Sequence, residues 1–131
     1  MSDVAAALGT LLRAQDALPR GPKREGVFAL WLFARVALDV GESADGMDRS
    51  DRRRCALLAN RLAPLAVPRP LGRGLASALS ILEAGTQQSA RVALSQLVAP
   101  ARESIDHDVG EALALLARHL HTFQSGSKPR A

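Results

Sequence analysis

Between Val27 and Val40 the apolar residues fall on two faces of a helix rather than one. At about 100° per residue, Val27, Leu30, Trp31, Ala34 and Leu38 form the first face, and Ala29, Phe33, Val36 and Val40 form the second. A helix that is apolar on two sides must be covered on two sides. This segment also holds three of the four aromatic residues, which places it at the centre of a bundle or against a partner. Alanine, leucine and arginine dominate the rest of the chain, all strong helix formers, and nothing alternates apolar and polar long enough to make a sheet. The fold class expected is all-α, a compact bundle of five to six helices.

Breakers and caps divide the chain. Ser2 caps a first helix that reaches about Ala17 and is stopped by Pro19-Arg20-Gly21-Pro22. The two-faced helix spans about Lys23 to Asp39, with Gly41 as its stop, and Glu42 to Asp48 reads as a polar loop. A third helix runs from Ser50 to Ala63 or Ala66, with Cys55, Leu58, Leu62 and Leu65 inward. The alternation of prolines in Val67-Pro68-Arg69-Pro70 predicts an extended connector. A fourth helix covers Leu71 to Ala84 and stops at Gly85. Thr86 caps a fifth that ends at Pro100, and a sixth starts after Asp106 or Asp108, with Asp108 and Glu111 spaced as a capping box. The sixth helix is expected to bury Val109, Ala112, Leu113, Leu116, Leu120 and Phe123.

At 131 residues and 47% hydrophobic, the chain is expected to be one domain over residues 1–124 followed by a disordered tail over 125–131. A single cysteine excludes an internal disulfide. The N-terminus lacks a secretory pattern, and the apolar stretch from Val27 to Val40 is short of the roughly 20 residues that cross a bilayer. The expectation is therefore a cytoplasmic protein with no membrane contact.

Catalytic and metal-binding patterns are sought and not found. His119 and His121 diverge by about 200° on a helix, which is wrong for a shared metal, and His107 between Asp106 and Asp108 reads as part of a helix cap. Cys55 follows three arginines, a setting that lowers a thiol pKa, yet it shares a face with leucines and reads as buried. No metalloprotease, nucleophile-elbow or phosphate-loop motif is present. The chain is expected to be no enzyme and to carry no cofactor and no metal.

Charge is distributed unevenly. Arg49, Arg52, Arg53, Arg54, Arg61, Arg69 and Arg73 lie in one window opposed only by Asp51, so this window carries more than the whole net charge of +4. Arginine makes up nearly all the basic complement, and its planar fork suits phosphate oxygens. Arg49, Arg52 and Arg53 share an outward helix face, Arg54 and Arg61 lie on its flank, and Arg69 and Arg73 follow across the connector. Arg49, Arg52, Arg53, Arg54, Arg69 and Arg73 are the candidate nucleic-acid-binding residues. A second surface is suggested by Phe28 and Leu32, which lie on the same side of the second helix as Arg35 and Asp39 and form a candidate protein interface. That alternative makes the chain a helical protein–protein interaction module, an adaptor or a homodimer, with no nucleic-acid role.

From the fourth helix onward the chain resembles the small α-helical subunit of Cascade, the type I-E CRISPR surveillance complex. Leu71-Gly72-Arg73-Gly74-Leu75-Ala76 is similar to that family's Leu-Gly-Arg-Ala-Leu-Ala segment. Leu79 to Ala84, Leu94 to Val98, and Ile105-Asp106 followed by Leu113 to Leu120 continue the likeness. Gly74 stands where alanine is common, His107 where a tryptophan is typical, and the chain is shorter than the usual members. The resemblance implies a non-catalytic subunit partnered by other CRISPR effector subunits, contacting the backbone of guide RNA and target DNA and helping to hold the opened duplex. Arg73 comes from the matching segment; the other arginines come from charge clustering alone.

Overall fold

The computed structural model describes residues 2–43 and 48–127, with side chains as far as Thr122. Six helices follow in order, α1 (Asp3–Ala17), α2 (Pro22–Gly41), α3 (Arg49–Leu62), α4 (Arg69–Leu82), α5 (Gln87–Ser104) and α6 (His107–Ser127), and no strand occurs among the described residues. Most of the polar loop predicted between α2 and α3 (residues 44–47), the last four residues of the predicted tail and the side chain of Phe123 lie outside what is described. The α6 backbone itself continues to Ser127, into the segment that reads as tail.

The two-faced α2 is the hub of the bundle. It packs against each of the other five helices, and Val27, Ala29, Leu30, Phe33, Ala34, Ala37 and Val40 have no solvent exposure. Around it, α4, α5 and α6 pack in chain order, and α1 fills the side between α2 and α6. The outlying element is α3, which touches only α2 and α4 and buries only Cys55 and Leu58. Its remaining surface is left to solvent, and this positions the arginines.

The caps explain where the helices begin. The Ser2 hydroxyl accepts from the Val4 amide at 3.1 Å, and Thr86 and Ser89 form a reciprocal capping box at the start of α5. At the start of α6 the cap is Asp106, whose Oδ1 accepts from the Val109 amide at 2.9 Å. The expected Asp108 and Glu111 box is not formed, because the helix starts at His107 and Asp108 lies inside its first turn; Glu111 pairs with Arg102 across the α5–α6 turn at 2.5 Å.

Two prolines depart from the sequence reading. Pro70 sits in the first turn of α4 rather than in a connector, a position where its missing N–H is unneeded and its fixed φ suits the helix. Pro100 lies inside α5, where the sequence predicts a helix end. An interior proline costs about 3 kcal/mol in an isolated helix, but α5 is clamped between α4 and α6, and Ala101 beyond the proline is fully buried. The ring is also a packing element. A Cβ on Gly74 would lie 2.9 Å from Pro100 Cγ and 3.5 Å from Leu97 Cδ2, so α4 approaches α5 closely only because residue 74 has no side chain. Gly74→Ala is expected to destabilise the chain by about 1–2 kcal/mol, since overpacking against a ring outweighs the helix propensity gained. Urea denaturation measures it; a midpoint raised by the substitution would contradict this packing.

Candidate polyanion-binding surface

The cap of α3 determines which charges are free. The Asp51 amide donates to Asp48 Oδ1 at 2.8 Å, and the Asp51 carboxylate turns back toward the Asp48 amide at 3.5 Å. Asp51 is thus committed to the helix end, with Arg54 Nη1 at 4.0 Å as its nearest cation. Arg54 reaches across to α2 and forms an ion pair with Asp39. Of the six proposed nucleic-acid contacts, Arg54 is therefore the one tied into the fold.

Arg49, Arg52 and Arg53 are exposed on the outward side of α3 and have no hydrogen-bonded or ionic side-chain partner among the described residues. The same holds for Arg61 near the end of α3 and for Arg69 and Arg73 on α4. The last two are separated by one helical turn and share a face. No acidic residue stands in the first turn of α4, so the helix dipole adds to their positive potential.

These arginines form two clusters rather than one. Ala59 and Leu62 at the end of α3 share a hollow with Gly72 and Leu75 in the first turns of α4, so the start of α4 lies by the end of α3. About ten residues of helix, roughly 15 Å, separate Arg52 from that end. Arg49, Arg52 and Arg53 mark one end of the hairpin, and Arg61, Arg69 and Arg73 belong to the other. The hinge between them is held by Glu25 of α2, which accepts from the Ala66 amide at 2.9 Å.

Cys55 is 3% exposed, and its thiol pKa is raised, first by burial and then by Glu83 and Asp51, against a lowering by Arg54. The three preceding arginines do not activate it. Ellman's reagent is expected to label Cys55 only as fast as the chain opens, with full labelling in urea; immediate labelling of the folded protein would contradict the burial.

Phe28 and Leu32 do not make one exposed patch. Both are half-buried, and the Phe28 ring stacks on Trp31 with centroids 6.4 Å apart. Phe28 faces a hollow beside Arg20 and Arg24, whereas Leu32 lines a separate groove between α2 and α3. A further basic groove lies between α5 and α6, about 420 Å³, with Arg91, Arg118, His121 and Ser95 in its walls. Sequence reading misses it because its walls belong to two helices that only the hairpin brings together. The one signal is the shared face of Arg91 and Ser95.

Among the described residues no group of three or more histidines, cysteines or acids could hold a metal ion, and no helix is long and apolar enough to cross a membrane. No protein-family model, curated protein or solved structure matches the chain.

Proposed function

We propose that this chain is a non-catalytic accessory subunit that holds a nucleic-acid backbone by charge, as a small subunit of a Cascade-like CRISPR effector with guide RNA or opened target DNA as its ligand. The observation that carries the reading is the set of five exposed arginines, Arg49, Arg52, Arg53, Arg69 and Arg73, in α3 and α4 without an acidic partner among the described residues. Arginines that serve only solubility commonly sit among carboxylates, whereas here Asp39 pairs with Arg54, Asp48 and Asp51 form the cap of α3, and Glu83 near Cys55 makes no ion pair with an arginine among the described residues. A rigid helical hairpin presents the free guanidinium groups at a fixed spacing, which suits a repeating phosphate chain. Base stacking contributes little, because the chain has four aromatic residues in all and three of them are on α2.

Binding of this kind is independent of sequence and weakens steeply with salt. Fluorescence anisotropy of a labelled single strand across a salt titration tests it. The parent is expected to show a slope that the Arg52→Ala, Arg53→Ala, Arg73→Ala triple variant reduces by about 2, at roughly 0.7 for each phosphate no longer neutralised. An unchanged slope would remove these residues from the interface.

A further inference from the structure

Leu57 is 54% exposed, the more exposed of the two large hydrophobic side chains that stand out in solvent among the described residues. It stands at the mouth of the groove between α2 and α3, about 290 Å³, whose apolar wall also includes Trp31, Leu32 and Val36. Apart from the buried Leu58, the remaining lining is basic: Arg35, Arg54 and Arg61, with no acid in the wall. Arg54 is neutralised by Asp39, which leaves Arg35 and Arg61 as the free charges along the groove. The Arg54–Asp39 pair fixes the two helices in register, and the groove extends from it over Val36, Arg35 and Leu32, roughly two helical turns.

We propose that this groove is a docking site for an acidic amphipathic helix of a partner protein, which inserts apolar residues at i, i+3 or i+4 and i+7 beside Leu57 and Trp31 and sets carboxylates against Arg35 and Arg61. Charge complementarity decides among possible occupants. A second copy of this chain presenting the same groove would bring arginine against arginine across a two-fold axis. A nucleic-acid strand would find an aliphatic wall, and the face of Trp31 is already covered by Arg35, whose guanidinium carbon lies 5.1 Å from the ring centroid. An acidic helix satisfies both the apolar wall and its basic rim. The inference is independent of the proposed nucleic-acid role, which rests on the outward arginines.

The test is selection of a displayed library of roughly four-turn helices on the whole chain, followed by titration of a synthesised binder while reading the fluorescence of Trp31, the only tryptophan. Selected helices are expected to be net acidic with apolar residues at helical spacing. Leu57→Asp and Arg61→Glu should each weaken binding by about tenfold or more, while their circular dichroism and urea midpoints stay close to the parent. Selected helices that are neutral or basic, or that bind both variants as well as the parent, would overturn the proposal. So would a parent dimer that Leu57→Asp dissolves, which assigns the groove to a second copy, or displacement of the helix from Trp31 by a single-stranded oligonucleotide, which assigns it to nucleic acid.

Discussion

Replacing Phe33 with alanine is expected to destabilise the fold by about 3–5 kcal/mol, against a total of roughly 5–15 kcal/mol for a domain of this kind. Among the described residues Phe33 is the largest side chain with no exposure, and it sits on the helix that all five others pack against. The cavity left would be lined by several helices at once, so no single neighbour can move in to fill it. Phe28 provides the internal comparison. It is half-buried and its ring contact is with Trp31 on the same helix, so Phe28→Ala is expected to cost about 1 kcal/mol. Urea denaturation followed by circular dichroism separates the two. Equal losses at both positions would mean that α2 is not the centre of the bundle.

The central place of α2 is legible in the sequence because two apolar stripes at helical spacing admit no other solution. The caps at Ser2 and Thr86 are legible for a related reason, since a hydroxyl ahead of an apolar run satisfies local amides whatever the tertiary structure. Pro100 reads as a helix end because its local cost is real. What overrides it is non-local: α4 and α6 hold α5 on both sides, and Gly74 leaves room for the ring. Asp108 and Glu111 have the spacing of a capping box, but Asp106, two residues earlier, caps the helix and puts Asp108 inside its first turn.

The candidate surface is legible as composition and not as geometry. Seven arginines in one window suggest a single patch. The fold ties Arg54 to Asp39 and distributes the others over the two ends of the α3–α4 hairpin. The basic α5–α6 groove and the groove beside Leu57 each need two helices to exist, so no single stretch of sequence announces them.

The polyanion reading predicts the second large effect. Removing Arg52, Arg53 and Arg73 together is expected to lower single-strand affinity by about two orders of magnitude near 0.1 M salt, because each phosphate left without its guanidinium keeps its condensed counterions. All three are exposed and unpartnered among the described residues, so the fold is expected to be untouched. A loss of that size also has a trivial explanation, the drop in net charge from +4 to +1 on replacing three arginines. The deciding measurement is therefore the salt dependence of binding for this variant beside one of equal charge, in which Arg13, Arg20 and Arg118, all outside α3 and α4, become alanine. The account predicts a slope reduced by about 2 for the α3–α4 variant and a nearly parental slope for the control. Equal losses in both would show that binding follows net charge alone and that the α3–α4 surface has no special part in it.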